Sequence, residues 1–284
     1  MTDVEHLRAV ATAVCAATGL TLCGNVGAGA FKATFHVTAT NGLSKALKIY
    51  NRNNRGARVE REVEAMARCN HPNIARFEAL ATLEHDGSEY LYSLEEFIAG
   101  EALEARLASG LLARPDGIRM GIALVDAVSH IAGHDLVHRD LKPANIILRA
   151  KDGSPVIVDF GLVRNLDASS LTETWMPHGP GTPLFAPPEQ LNNEKEIIDW
   201  RADQFALGVV IAMSLIGRHP YHDDTEQPIH VVERVAARGA LPEWFRTWAT
   251  EQSLAPLIRM VQPWPVQRYR LPADLSAAWR GLGM

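Results

Sequence analysis

The sequence is poor in cysteine, with Cys15, Cys23 and Cys69 as the three examples in 284 residues. Their number is odd, and no two of them have the CxxC spacing of a zinc-ligand pair. A disulfide framework and a cysteine-based zinc site are therefore not indicated. We expect the chain in a reducing compartment, the cytoplasm.

Basic charge is in deficit, and long apolar runs are missing. The 28 Lys and Arg residues against 33 Asp and Glu give a net charge of −5 and a pI near 6.1, which argues against nucleic acid or anionic membrane as a partner. The most apolar run, residues 205–217, would form a helix of roughly 20 Å, shorter than a bilayer core of about 30 Å. It predicts a buried core helix. The first ten residues lack the basic flank and apolar core of a signal peptide.

The first part of the chain shows two patterns. Apolar residues recur at helical spacing over residues 4–15, which predicts a leading helix that ends near Gly19. Residues 20–50 form short extended runs separated by glycines. The Asn41-Gly42 pair tolerates positive φ and predicts a hairpin turn between two of these runs.

After residue 58 the sequence predicts one helix and two strands before the chain becomes mainly helical. An amphipathic helix is expected over residues 58–69, followed by strands near residues 74–83 and 90–94. After Gly100 the chain reads as mostly helical. A boundary between two lobes is therefore predicted near residue 98.

Two features of the first half are suited to contact an anion. Gly27 and Gly29 let backbone amides approach a phosphate, although a plain hairpin turn explains them better on their own. Lys48 lies inside an apolar strand, where an unpaired ammonium is costly to bury, so it requires an anion. Glu62 is the expected partner, with a solvent-facing Glu62 paired to Arg58 as the alternative.

The second half contains a polar loop followed by a β-branched strand. Asp140, Lys142 and Asn145 bring a carboxylate, an ammonium and an amide within six residues, and Asp159 ends the strand. Hard oxygen ligands from Asn145 and Asp159 suit Mg²⁺. Asp140 is then available to receive a proton; the alternative is that all four residues merely cap loops.

In this order, the motifs resemble the signature set of eukaryotic-like, bacterial-type Ser/Thr protein kinases, over about residues 20–280. The resemblance implies an α+β, two-lobed protein-kinase-like fold. The leading helix takes residues 1–19. Residues 20–98 make a small β-rich N-lobe with helix C, and residues 99–284 a larger, mainly helical C-lobe.

The resemblance also assigns nucleotide contacts. The residues expected to bind ATP are Gly27, Gly29, Lys48, Glu96, Ile98 and Leu148. Among them Lys48 contacts the α and β phosphates and pairs with Glu62 on helix C. Glu96 and Ile98 belong to the hinge, whose backbone bonds adenine, and Leu148 packs under the ring.

The polar loop carries the implied chemistry. Asp140 corresponds to the catalytic base and Lys142 to the contact with the γ-phosphate. Asn145 and Asp159 correspond to the ligands of Mg²⁺ or Mn²⁺. Lys142, two residues after the base, matches kinases that act on Ser and Thr.

The C-terminal half continues the resemblance with three structural residues. Glu189 ends a Pro-Pro-Glu segment that matches the end of the activation segment, and it should pair with Arg268. Asp203, at the start of the apolar helix, corresponds to the aspartate that caps the catalytic-loop backbone and is equally suited to cap its own helix.

The implied function is transfer of the γ-phosphate of ATP to Ser or Thr hydroxyls of a protein substrate, with autophosphorylation of the activation segment. Thr172 and Thr174 are the expected phosphorylation sites, and Arg139 the residue that binds the phosphate. The alternatives are a pseudokinase that acts as a nucleotide-dependent binding switch and a small-molecule phosphotransferase. A regulatory partner or a homodimer fits the lack of an obvious sensor domain.

Two residues depart from the family pattern. Lys32 replaces the third glycine of the Gly-rich loop, which favours a modest nucleotide affinity. Glu95 stands at the gatekeeper position beside adenine, where a carboxylate is disfavoured unless it is paired or hydrated. Either Glu95 is a local hydrogen-bond acceptor, or the hinge register is shifted by one residue.

Overall fold

The leading helix, α1, spans Asp3–Thr18 in the computed structural model, which describes residues 3–29, 32–50, 66–159, 183–223 and 227–283. Gly19 follows it with φ +69°, a left-handed conformation that glycine adopts without a Cβ penalty. The Leu20 N–H then donates to the Cys15 carbonyl at 3.0 Å and closes the helix end. The helix predicted over residues 4–15 is therefore present.

Five antiparallel strands follow and form one sheet in the order β1-β2-β3-β5-β4. They are β1 (Thr21–Ala28), β2 (Lys32–Thr38), β3 (Ser44–Tyr50), β4 (Phe77–His85) and β5 (Ser88–Glu96). The predicted hairpin turn lies between β2 and β3, where Gly42 has φ +81°. Asp86 and Gly87, both with positive φ, make the tight turn between β4 and β5.

One face of this sheet packs against α1. Side chains alternate between the two faces of a strand, so Phe35 of β2 and Leu47 and Ile49 of β3 share the face that meets Val10 and Val14 of the helix. Lys48 and Tyr50 of β3 therefore belong to the opposite face. Helix α1 therefore covers one face of the sheet.

The two predicted strands after residue 70 differ from expectation at their ends. The strand expected near residues 74–83 begins at Phe77, because Ile74 closes a turn onto the His71 carbonyl and bridges to Ile157 instead. The strand expected at residues 90–94 is longer, Ser88–Glu96. Of the helix predicted over residues 58–69, residues 66–68 are helical and residues 58–65 lie outside the described part.

The chain divides into two units. The first takes its described residues from Met1–Asn70 and Ala75–Ile98, and the second from His71–Ile74, Ala99–Gly161 and Ser170–Met284. The second unit contains a small antiparallel sheet in the order β6 (Gly100–Ala102), β7 (Ile146–Arg149), β8 (Pro155–Ile157).

The remainder of the described second unit is mainly helical. Its helices are α2 (Leu103–Ala108), α3 (Arg114–Ala132), α4 (Pro188–Leu191), α5 (Arg201–Ile216), α6 (Pro228–Ala236), α7 (Glu243–Glu251), α8 (Ala255–Met260) and α9 (Pro272–Arg280). A five-stranded antiparallel sheet in one unit and a helical second unit are the architecture that the kinase resemblance implies.

Helix α5 is the centre of the second unit. It buries every residue from Ala202 to Ala212, which confirms the core helix predicted from the apolar run, and Gly217 ends it with φ +72°. Helix α9 packs against α3 through Trp279, which approaches Gly121 so closely that a Cβ there would lie 2.2 Å from the indole. Among the described helices, none is both long and apolar enough to cross a bilayer.

Candidate active site

The loop after α3 is fixed to the buried Asp203 near the start of α5. The backbone N–H groups of His138 and Arg139 donate to the two Asp203 carboxylate oxygens at 2.6 and 2.8 Å. Arg139 has φ +64°, a strained conformation for a residue with a Cβ. Burial raises the pKa of Asp203 to about 7, even though the two N–H donors act in the opposite direction. The aspartate thus holds the backbone in a shape that it would not adopt alone.

His138 connects this loop to the strand that leads to Asp159. The side chain is fully buried, and its Nε2 lies 3.1 Å from the Val158 carbonyl oxygen. Its Nδ1 accepts the Asp140 N–H at 3.3 Å. If Nδ1 accepts, Nε2 carries the proton, and the ring bridges the two segments as one neutral tautomer.

Asp140, Lys142 and Asn145 form one polar cluster in the same loop. The Lys142 Nζ lies 3.1 Å from Asp140 Oδ2, and the Asn145 amide nitrogen donates to the same oxygen at 3.1 Å and to the Asp140 carbonyl at 2.8 Å. Both charged side chains are about one-fifth to one-quarter exposed, so solvent and ligands can approach them. The carboxylate is therefore oriented by two donors and remains accessible.

Asn145 and Asp159 lie at the same end of the β7–β8 ladder. Ile146 pairs with Ile157 in antiparallel register, and the Val158 N–H continues the pairing to the Asn145 carbonyl at 2.9 Å. Asp159, the next residue, has φ +64°. This end of the ladder carries one residue with an amide and one with a carboxylate, whose oxygens are the hard donors that Mg²⁺ and Mn²⁺ prefer.

In the first unit, Lys48 is buried with a carboxylate on the neighbouring strand. The exposed fraction of Lys48 is 3%, and its ammonium donates to the Glu95 carboxylate on β5. The sequence identified the need for an anion but did not pair these two residues, since their proximity depends on the β3–β5 register. Glu95 is thus a paired local acceptor, one of the two outcomes that the sequence left open.

The other predicted nucleotide contacts lie on strands and their ends. At Gly27 and Gly29 an added Cβ would meet no described protein atom within 4 Å, so the packing of the described residues does not demand glycine there. The Glu96 N–H donates to the Arg76 carbonyl at 2.8 Å, and its carboxylate accepts the Arg76 N–H. Ile98 is buried at the end of the first unit, and Leu148 lies on β7 of the second.

Glu189 and Arg268 make the ion pair that the sequence analysis expects. Two guanidinium nitrogens donate to the two carboxylate oxygens at 2.6 and 3.1 Å, and both side chains are fully buried. Arg268 also donates to the carbonyls of Gln262 and Arg201 at 2.8 and 2.9 Å. Its charge is therefore satisfied throughout, as burial requires.

Three predicted residues lie outside the part of the chain that the structure describes. They are Glu62, the expected partner of Lys48, and the expected phosphorylation sites Thr172 and Thr174. Their roles stay predictions.

Comparisons with known proteins agree with the motifs. The protein kinase domain model matches residues 20–268. "Probable serine/threonine-protein kinase PknB" of Bifidobacterium longum is 32% identical over 202 residues, 68% of this chain and 29% of that protein. Myosin light chain kinase A of Dictyostelium discoideum is 31% identical over 187 residues, 63% of this chain and 60% of that protein.

A third relative covers more of the sequence. Calcium/calmodulin-dependent protein kinase type II of Caenorhabditis elegans is 29% identical over 265 residues, 89% of this chain and 35% of that protein. The chain thus spans between 29% and 60% of the length of these three relatives. Because the domain match covers most of the sequence, the chain belongs to the protein kinase family, in the eukaryotic-like serine/threonine branch.

Proposed function

We propose that the protein transfers the γ-phosphate of ATP to Ser and Thr hydroxyls of a protein substrate. The observation that carries this proposal is the polar cluster of Asp140, Lys142 and Asn145, in which two donors orient one accessible carboxylate. Phosphoryl transfer requires little covalent work from the protein, so positioning and neutralisation of charge supply most of the catalysis.

Asp140 is the proposed catalytic base. Its carboxylate would accept a hydrogen bond from the acceptor hydroxyl, align that oxygen with the γ-phosphorus and take the proton as the new bond forms. Lys142, 3.1 Å from the carboxylate, would stabilise the negative charge on the transferred phosphoryl group. The Asp203 bonds to the loop backbone keep this arrangement in place.

Asn145 and Asp159 are the proposed metal ligands, with an amide oxygen and a carboxylate as donors. When bound, Mg²⁺ or Mn²⁺ neutralises phosphate oxygens and aligns the transferred group. The two bonds from Asn145 to Asp140 use its amide nitrogen, which leaves the amide oxygen for a cation.

Each contact with the nucleotide is assigned to particular residues in this proposal. Gly27 and Gly29 would let backbone amides approach the phosphates, and Lys48 would bind the α and β phosphates. The backbone of Glu96 and Ile98 would bond adenine, with Leu148 against the ring. Glu62 would pair with Lys48, as in the family.

Autophosphorylation is the proposed route to activation. Thr172 and Thr174 are the candidate acceptors, and a phosphate there carries about −1.5 to −2 charges that Arg139 would bind. Conversion of both threonines to alanine should remove phosphate between residues 162 and 186 and lower activity. Mass spectrometry of the active protein checks the site, and active protein without phosphate in that segment contradicts it.

The experiment that tests the function is incorporation of labelled γ-phosphate from Mg²⁺-ATP into the protein and into a generic Ser/Thr substrate. Asp140→Asn should reduce incorporation about 10²- to 10⁴-fold, because it removes the base without changing the shape of the side chain. Asp126→Asn, which alters a partly exposed ion pair on α3, is the matched control and should retain activity.

The melting temperature of each variant separates loss of chemistry from loss of fold. Nucleotide binding without incorporation by the wild type would support the pseudokinase alternative. Labelling of a small molecule but no protein would support the small-molecule phosphotransferase.

A further inference from the structure

A chain of polar side chains runs across the sheet face opposite α1. It joins Lys48 and Tyr50 of β3 to Ser93 and Glu95 of β5, and each of the four side chains is at least nine-tenths buried. The Lys48 ammonium donates to Glu95 Oε2, and the Ser93 hydroxyl donates to Glu95 Oε1 at 3.3 Å. The Tyr50 and Ser93 hydroxyls lie 3.0 Å apart. Both oxygens of the carboxylate are thus engaged.

The strand register creates this arrangement. Lys48 stands directly opposite Ser93 in the β3–β5 pair, and Glu95, two residues along β5, shares the face of Ser93. Such a diagonal neighbour is within reach of a long side chain. The carboxylate is therefore held by the backbone of a central sheet, which fixes a functional group more closely than a loop does.

Because the pair is buried, the Glu95 carboxylate governs where the Lys48 ammonium lies. A buried lysine charge requires an acceptor, and Glu95 supplies a full negative charge from an adjacent strand. An ammonium has three N–H donors, and the bond to Glu95 uses one of them. Lys48 can therefore keep its bond to the sheet while it binds phosphate oxygens.

We propose that Glu95 is a positioning residue that holds the Lys48 ammonium for the α and β phosphates of the nucleotide, in addition to the carboxylate expected from Glu62. This inference rests on the proposed function, because it assumes that Lys48 binds the phosphates. This inference gives the carboxylate at the gatekeeper position a role, because Glu95, on a strand of the sheet, helps to hold the Lys48 ammonium in place.

The test compares the binding of adenosine and of Mg²⁺-ADP by isothermal titration calorimetry. Lys48 contacts phosphates and not the nucleoside, so Glu95→Gln should weaken ADP binding about tenfold and leave adenosine binding within about twofold. Glu78→Gln is the matched control, because Glu78 pairs with Lys45, which lies on the face of β3 opposite to that of Lys48. Both affinities should stay unchanged in that variant.

Ser93→Ala is the second variant, for use if Glu95→Gln does not fold. It removes the hydroxyl that donates to the far oxygen of Glu95 and should weaken ADP binding about threefold, again without an effect on adenosine.

Equal weakening of adenosine and ADP would overturn the inference, because the residue would then shape the adenine site. Unchanged or tighter ADP binding would also overturn it, and tighter binding would mean that Glu95 competes with the phosphates. If the wild type binds neither ligand, the proposed function itself fails.

Discussion

At the residue scale, the Glu189–Arg268 and Asp126–Arg280 pairs of the second unit differ in burial. Glu189 and Arg268 are both fully buried, whereas Arg280, which donates to Asp126 at 3.0 Å, is 64% exposed. Removal of one partner from a buried pair leaves a charge without compensation. The same change at a surface pair leaves the other charge in water.

We therefore expect Glu189→Gln to lower the free energy of unfolding by about 3–5 kcal/mol, because Arg268 would keep its charge without its carboxylate. Asp126→Asn should lower it by no more than about 1 kcal/mol. Urea unfolding of both variants measures the difference. Similar values for the two would show that the burial of Glu189 does not govern its contribution.

At the element scale, α1 contributes the apolar cover of one sheet face. Leu7 is 3% exposed and belongs to the cluster that includes Phe35 and Leu47 of the sheet. Leu7→Ala should destabilise the first unit by about 2–5 kcal/mol, because it removes apolar contacts and leaves a cavity. Thr12→Ala on the exposed side of the same helix should change stability by no more than about 0.5 kcal/mol.

Hydrogen exchange of the β2 and β3 backbone amides measures how far each substitution destabilises the sheet. Faster exchange in Leu7→Ala but not in Thr12→Ala is expected. Unchanged protection in both variants would mean that the sheet is stable without the helix.

At the scale of the whole molecule, the free energy of unfolding should depend on pH through His219, which is buried and follows the C-terminal end of α5. Burial lowers its pKa to about 3, well below the usual 6.5. The unfolded chain binds a proton near pH 6.5 and the folded chain does not, so stability is complete above that pH and is lost as pH falls toward 3. Between pH 7 and pH 5 the loss is about 2 kcal/mol.

His219→Asn isolates this contribution. The Asn side-chain oxygen can accept the Tyr221 N–H that His219 Nδ1 accepts at 3.1 Å, but it does not titrate. Asp203, whose raised pKa acts in the opposite sense, is common to both proteins and cancels. Urea unfolding at pH 7 and pH 5 should show a smaller decrease in the variant than in the wild type, and equal decreases would contradict the assignment.

The sequence by itself determined the features that depend on local spacing and residue type. The periodicity of residues 4–15 marked α1, and the apolar run at residues 205–217 marked the buried part of α5. The motifs that contain Lys48, Asp140, Asn145 and Asp159 identified the kinase family, because several independent motifs occur in one order along the chain. The pairing of Glu189 with Arg268 also came from motif position.

Tertiary structure decided the features that depend on strand register and on which distant segments meet. The Lys48–Glu95 pair joins residues 47 positions apart, and a one-residue slip between β3 and β5 would place Glu95 on the face that α1 covers. The bonds from Asp203 to residues 138 and 139 cross 64 or 65 positions; the family resemblance implied that Asp203 caps this loop, and the structure identified the two N–H donors. Local sequence patterns specify the type and order of the helices and strands. That Glu95 lies beside the buried Lys48 charge depends on the strand register, which only the folded sheet defines.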